Sequence, residues 1–188
     1  MQAKPKNPWN PERLDVRALA QAGASLSASE PLARFPRLKE ECHPEGGPDD
    51  AQVVWQARGE VRSAGALAQP SVWLHLQAQL TLPLTCQRCL GPVATPLVVD
   101  RWFRFVADET TAAAEDEDSE EDVLALEPRP SLLELIEDEL LMELPLVPMH
   151  EVCPESPAAL AGAADVPADE APESKRPNPF AGLARLKK

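Results

Sequence analysis

The chain has 188 residues and a formal net charge of −13, from 18 basic and 31 acidic side chains. So negative a chain is a poor candidate for a nucleic-acid coat or a membrane-surface protein, since both usually present a basic field. No apolar run approaches the roughly 20 residues of a membrane span, and the polar, proline-rich start lacks the apolar core of a signal peptide. We therefore expect a cytoplasmic protein with one ordinary domain.

The first forty residues predict one short helix and one edge strand. Residues 1–9 are expected to be flexible. Asn10 followed by Pro11 is typical of a helix start, and the helix should run to about Ala22. Residues 31–40 are expected to form a short edge strand, because Pro36 would be tolerated only at the edge of a sheet.

Alternating apolar and polar residues predict three strands, over residues 53–61, 72–84 and 94–106. The gaps between these runs have turn length and contain no helical crossover, so the runs predict an antiparallel meander. The side chains expected to face the core are Leu74, Leu76, Leu80, Leu82, Val99 and Phe103.

A strongly acidic segment follows the strands, with nine carboxylates and no base between residues 108 and 122. We expect residues 108–130 to be a disordered insertion, because so polar a segment has little apolar surface to bury. Ser131 and Glu134 then form a capping box before a long helix expected over residues 132–144, which should pack on the sheet.

These elements predict an α+β fold, in which an antiparallel sheet is packed by the long C-terminal helix and the short N-terminal helix. The single domain should span residues 10–153. Residues 154–188 are expected to form a linker rich in proline and alanine and then a basic tail, since residues 175–188 carry five bases and no acid.

Cys-Gln-Arg-Cys at residues 86–89 places two thiols three residues apart between two predicted strands. Zinc sites favour two such short pairs brought together across a fold. The predicted zinc ligands are Cys86, Cys89, His150 and Cys153. Two alternatives remain open, since the first pair would also suit turn thiols or a redox pair whose thiol pKa is lowered by the arginine between them.

Contact with nucleic acid is possible in spite of the net charge, because a local basic patch binds phosphate while remote carboxylates keep the rest in solution. The alternative is an ordinary mixed surface. The candidate RNA or partner contacts are Arg88, Arg101, Arg104, Lys175, Arg176, Phe180, Arg185, Lys187 and Lys188, and Arg58 and Arg62 share one strand face. Aromatic residues are few and tyrosine is absent, so we do not expect a base-stacking platform.

The sequence favours a binding protein rather than an enzyme. Its carboxylates cluster in one acidic segment instead of facing each other at acid–base spacing. Neither a nucleophile–histidine arrangement nor a glycine-rich phosphate loop is evident.

Four segments together resemble one known family, namely LTCQRC at 84–89, LIEDELL at 135–141, ELPLVPMH at 143–150 and KRPNPFAGL at 175–183. In this order they are similar to the YceD family, the large ribosomal RNA subunit accumulation proteins of bacteria and plastids. The resemblance implies a non-catalytic ribosome biogenesis factor for the accumulation or processing of large-subunit (23S) ribosomal RNA. Its partners would be that RNA or the pre-50S particle, and the acidic segment would suit a basic ribosomal protein as a further partner. The competing hypotheses are a CxxC thiol oxidoreductase and a zinc-knuckle protein–protein adaptor.

Overall fold

The computed structural model describes residues 9–46, 51–63 and 70–154, which form an α+β fold around one five-stranded sheet. The strands, in chain order and in spatial order, are β1 Ser25–Pro31, β2 Gln52–Arg62, β3 Ser71–Thr85, β4 Pro92–Val106 and β5 Asp122–Ala125. The helices are α1 Val16–Gln21, α2 Pro36–Glu40, α3 Glu109–Asp116 and α4 Leu132–Met142, with a 3-10 turn at Leu32–Arg34. Within these ranges, no helix is both long and apolar enough to cross a membrane.

Strands β1 to β4 pair as an antiparallel meander, whereas β5 lies parallel to β4. The sheet is therefore mixed, and the prediction of a wholly antiparallel sheet was wrong at this edge. A parallel neighbour requires the chain to travel back along the sheet before it pairs. The segment that contains α3 makes this return between β4 and β5.

The hydrophobic core lies between one face of the sheet and the helices. The six sheet residues predicted to face the core are all buried, each at most 4% exposed. From α4, Ile136 and Leu140 are fully buried in the same cluster, whereas Leu144 is only partly buried against it. Ser131 caps α4 by accepting the Glu134 N–H at 3.2 Å, and the helix ends at Met142 rather than at residue 144.

The predicted start of the first helix was wrong. Helix α1 begins at Val16, and its cap is Asp15, which accepts the Ala18 N–H at 2.9 Å. Residues before it are held to the start of α4 instead, since the Leu14 N–H donates to the Pro130 carbonyl at 2.9 Å. The helix then passes directly over β2, because a Cβ placed on Gly59 would lie 2.6 Å from the Ala20 nitrogen.

The edge strand predicted over residues 31–40 was also misplaced. The edge strand is β1, which ends at Pro31, and Pro36 opens helix α2 instead. Proline suits the first turn of a helix as well as it suits a sheet edge, because neither position needs its N–H. The first turn of α2 is capped from another element, since the buried Glu137 carboxylate accepts the N–H groups of Arg37 and Leu38 at 2.8 and 3.2 Å.

The acidic segment is folded, so the prediction of disorder over residues 108–130 was wrong. Asp108 caps α3 by accepting the Thr111 N–H at 2.9 Å, and Ala112 on that helix is buried. Further along the segment, β5 extends the sheet beside β4, and its Val123 is buried. A few small and apolar residues among the carboxylates are therefore enough to dock this segment on β4.

Candidate metal centre

The two cysteines of the CxxC motif lie in a tight turn between β3 and β4. The Leu90 N–H donates to the Cys86 carbonyl at 2.8 Å, and the Cys86 N–H donates to the Gly91 carbonyl at 2.9 Å. Leu90 adopts a left-handed backbone with φ of 61°. This conformation costs a residue with a Cβ roughly 1–2 kcal/mol, and the turn must offset that cost.

The segment that follows α4 returns to this turn. The Gln87 N–H donates to the Pro148 carbonyl at 2.8 Å, which fixes the two segments side by side. As a result, the nearest ligand atoms of the four predicted zinc ligands all lie within 4.8 Å of one another; these residues are Cys86, Cys89, His150 and Cys153. We call this group the Cys3His cluster. The two cysteines of the turn are buried and the other two members are half-buried.

The distances inside the Cys3His cluster fit a tetrahedral metal. Zinc binds sulfur at about 2.3 Å and imidazole nitrogen at about 2.0–2.1 Å, so tetrahedral angles place two sulfurs about 3.8 Å apart and sulfur and nitrogen about 3.5 Å apart. In the structure the Sγ atoms of Cys86 and Cys153 are 3.9 Å apart. The Cys89 Sγ lies 3.4 Å from the His150 Nδ1. The donor set and its spacing therefore suit a metal ion such as zinc.

The His150 ring is oriented so that one nitrogen faces the sulfurs. Its Nε2 lies 3.0 Å from the Pro92 carbonyl oxygen. A carbonyl only accepts hydrogen bonds, so Nε2 must carry the proton. In the neutral ring Nδ1 then keeps its lone pair, and it is this atom that faces Cys89. Histidine ligands of metals are commonly held by such an outer hydrogen bond.

Arg88, one of the candidate RNA contacts, joins the two halves of the cluster. Its Nε donates to the Cys153 Sγ at 3.0 Å, and its Nη2 donates to the carbonyl oxygens of His150 and Glu151 at 2.6 and 3.1 Å. These bonds raise the pKa of the guanidinium, mainly through the contact with Cys153. Arg88 therefore acts within this structure as a clamp on the downstream segment, and its role in RNA contact stays a prediction.

The thiol pKa values diverge within the cluster. Burial raises the pKa of Cys86, but N–H groups of His150, Cys89 and Arg88 outweigh it and lower that pKa to about 5. The Gly91 N–H lowers the pKa of Cys89, but burial and the thiols of Cys153 and Cys86 outweigh it, so that pKa is raised. Thiols this close cannot all ionise without a compensating charge, and a metal cation would supply it.

His43 supports the cysteine turn, and no feature of the sequence predicts this role. Its ring is buried, and its Nε2 donates to the Leu90 carbonyl at 3.0 Å while its Nδ1 accepts the Glu45 N–H at 3.1 Å. The His43 N–H in turn donates to the Pro83 carbonyl at 2.7 Å. His43 thereby holds the left-handed peptide beside the second cysteine. No spacing rule connects it to the turn, so only the fold identifies it.

The other candidate RNA contacts do not join the Cys3His cluster. Arg101 pairs with Asp122 and lies 3.5 Å from Glu139, and Arg104 lies 2.6 Å from Glu115. Both arginines therefore offset the charge of the acidic segment and of α4. Lys175, Arg176, Phe180, Arg185, Lys187 and Lys188 lie outside the described residues.

The position of the CxxC motif favours a metal site over a redox pair. Redox CxxC pairs usually lie at the N-terminus of a helix, where the helix dipole lowers a thiol pKa. Here the motif connects two strands, and both thiols face two further ligand residues. The low pKa of Cys86 is equally what metal binding requires, because cysteine binds as the thiolate.

Comparison with known proteins places the chain in one family. The family model described as large ribosomal RNA subunit accumulation protein YceD matches residues 74–187, which is more than half of the chain. A protein of that name from Haemophilus influenzae is 34% identical over 121 residues, which cover 63% of this chain and 67% of the relative. No solved structure matches the chain. The matched residues include the Cys3His cluster and the helix before it, and the chain belongs to the YceD family.

Proposed function

We propose that this chain supports the accumulation of large-subunit ribosomal RNA as a non-catalytic binding factor in the cytoplasm. Membership of the YceD family carries the proposal, since the Haemophilus influenzae relative is named for this role. The geometry of the cluster agrees with a structural rather than a catalytic centre. Four protein ligands close a tetrahedral zinc site, whereas catalytic zinc sites keep one position open for water or substrate.

We further propose that the Cys3His cluster binds zinc. The support is the ligand spacing together with the outer hydrogen bonds to His150 and Cys153. Protein purified without chelator should contain about one zinc per chain by elemental analysis. A preparation without metal, whose melting temperature does not respond to added zinc or to chelator, would contradict this proposal.

The proposed target is the precursor of the large subunit, reached through its RNA or through a basic ribosomal protein. The acidic segment suits the second partner, since Glu109, Glu117 and Glu120 are exposed around α3. The decisive measurement is sedimentation of the full chain with pre-50S particles in a sucrose gradient. We expect co-sedimentation at low salt that declines as salt rises.

The competing hypothesis of a thiol oxidoreductase makes the opposite prediction. It requires the protein to stay free of the particle at every salt concentration and to have a reductase activity that Cys86→Ser abolishes. Observation of both results would reverse our ranking of the two functions.

Deletion of the basic tail tests its contact with RNA without changing the folded domain. Deletion of residues 175–188 should leave the melting temperature nearly unchanged but weaken association with the particle. The truncated protein should also show a shallower dependence on salt, because five cationic side chains are gone. If the deletion unfolds the protein, these residues belong to its core and the tail is not a free contact.

A further inference from the structure

The face of the sheet opposite the hydrophobic core carries a groove made only by strands. It has a volume of about 520 Å³ and lies across the middle of β1 to β4. The side chains that face it are mainly amides and hydroxyls, with two exposed valines, namely Ser27, Ser29, Val54, Gln56, Gln77, Gln79, Val98 and Asp100. Among the described residues, none from a helix lines it.

A stack of aromatic rings and a guanidinium lies on the same face of β2, β3 and β4. The rings of His75 and Trp102 are 4.3 Å apart and nearly parallel, at 8°. The Arg62 guanidinium lies 3.9 Å from the Trp102 ring and 4.2 Å from the Trp73 ring. All four side chains are half-buried, so the stack is preformed yet reaches solvent.

The pairing of the strands brings together tryptophans that are few in the sequence. The chain has only four tryptophans, but the alternation of β3 and β4 brings two of them to one face. Few aromatics therefore do not exclude a base-stacking platform when the sheet gathers them. Base stacking needs only a flat π surface, and guanidinium planes serve as well as rings.

The charges on this face differ from those of the chain as a whole. Arg58 and Arg62 lie on β2, and Arg58 forms no ion pair with any described residue. The two carboxylates on the central strands are already engaged: Glu60 pairs with Arg62, and Asp100 accepts hydrogen bonds from Gln77 at 2.8 Å and His75 at 2.6 Å. Arg104, which lies opposite Trp73 on β4, is paired with Glu115 and Glu121 of the acidic segment. Arg58 is therefore the arginine of this face that has no ion pair among the described residues and can contact phosphate.

We propose that this open face binds single-stranded RNA, an inference that rests on the proposed function and assigns a surface to it. Bases stack against the Trp73, Arg62 and Trp102 group, while Arg58 contacts phosphate. The amides of Gln56, Gln77 and Gln79 then meet base edges along the groove, because an amide both donates and accepts. A duplex is excluded, since its bases are already stacked and its edges are not offered to a flat sheet.

The test uses the full chain and a fluorescein-labelled single-stranded RNA of about 12 nucleotides and mixed sequence, with a hairpin of the same length as duplex control. Anisotropy should show tighter binding of the single strand, and binding should quench tryptophan fluorescence. Arg62→Ala and Trp102→Ala should each weaken binding at least about fivefold. Arg17→Ala is the matched control, because it removes one exposed cation from α1 and should change affinity less than about twofold.

Several outcomes would overturn the inference. Equal binding of hairpin and single strand would exclude stacking, and wild-type affinity in both variants would place the RNA elsewhere. A wild-type chain that binds no RNA, while these folded variants lose the pre-50S particle, would mean that the face binds a protein. Melting curves identify any variant that is unfolded, and Arg62→Ala serves as the milder substitution, since it leaves both rings in place. Sedimentation of the wild-type chain decides the proposed function independently of these results.

Discussion

Strand β3 runs through two regions that are stabilised in different ways. Along most of its length it contributes leucines to a core in which Leu76 and Leu82 are fully buried against the helices. Beyond Leu84 it enters the cysteine turn, where Leu90 is 67% exposed, and the segment that packs there leaves Leu146 wholly exposed. The first region is held by apolar burial, whereas the second is held by hydrogen bonds of His43 and Arg88 around the Cys3His cluster.

The comparison shows that different interactions stabilise the two regions. In the hydrophobic core the free energy of folding is spread over many side chains, each of which contributes about 1.5–3 kcal/mol on burial. In the cysteine turn there is little apolar surface to bury, so order depends on a few polar contacts and on the metal we propose. The two regions should therefore respond independently to different perturbations.

Metal removal should give the largest and most local effect. Structural zinc in small domains contributes about 10–16 kcal/mol of apparent binding free energy. Chelation should therefore abolish amide-exchange protection in residues 86–91, where the N–H groups of Cys86, Gln87 and Leu90 are hydrogen-bonded, and in residues 149–153. Leu76 on the same strand should stay protected, because its burial does not involve the cluster.

Two cysteine variants provide the matched comparison for this experiment. Cys86→Ser should lose the zinc, whereas Cys42→Ser should retain it, since Cys42 contacts the Leu38 carbonyl and lies outside the cluster. Equal zinc content in the two variants would contradict the ligand assignment. Global unfolding on chelation would show instead that the two regions form one cooperative unit.

Truncation of a leucine side chain in the hydrophobic core should have the next largest effect on stability. Leu140 is fully buried on α4, and Leu140→Ala should lower the free energy of unfolding by roughly 2–5 kcal/mol. Met142 is 67% exposed on the same helix, so Met142→Ala should cost less than about 0.5 kcal/mol. Urea denaturation of both variants measures this difference. Similar costs would mean that α4 does not dock through Leu140, and zinc content should be unchanged in both.

Removal of the buried Glu137 carboxylate should lower the stability of the protein by an intermediate amount. It accepts the N–H groups of Arg37 and Leu38 and lies 3.0 Å from the Arg37 guanidinium. Glu137→Ala leaves these donors without a partner, which should cost roughly 1–3 kcal/mol in urea denaturation. Asp138→Ala is the control, since its pair with Arg37 is exposed and should contribute much less. Equal losses of stability in the two variants would show that the Glu137 cap on α2 contributes little to the free energy of unfolding.

The sequence predicted the parts of the structure that repeat a simple pattern. The alternation in β3 and β4 identified the buried leucines, and the two short ligand pairs identified the residues that meet in the Cys3His cluster. Other elements depend on partners far along the chain. Helix α2 is capped by Glu137, and the acidic segment forms ion pairs with Arg101 and Arg104 on β4. Such long-range pairs leave no local pattern, so disorder and a strand were predicted instead.

The acidic segment should show the smallest effect, because it docks at the edge of the sheet and contributes only Ala112, Val123 and Leu126 to the buried residues. The Thr111 N–H and hydroxyl hold the pKa of the Asp108 carboxyl below its ordinary value of 3.8. The contribution of this cap is therefore fully present above pH 3.8 and is lost as pH falls through the lower pKa of the folded state.

Asp108→Asn should keep the cap, since asparagine caps helices well, but should remove this acid dependence. Asp108→Ala should lose the cap at every pH and lower the melting temperature by no more than about 2–4 °C. Amide exchange at Ala112 provides the local measurement, and it should rise in Asp108→Ala while exchange at Leu76 and zinc content stay as in the wild type. If the Ala and Asn variants exchange alike at neutral pH, α3 is held by its packing on β5 rather than by its cap.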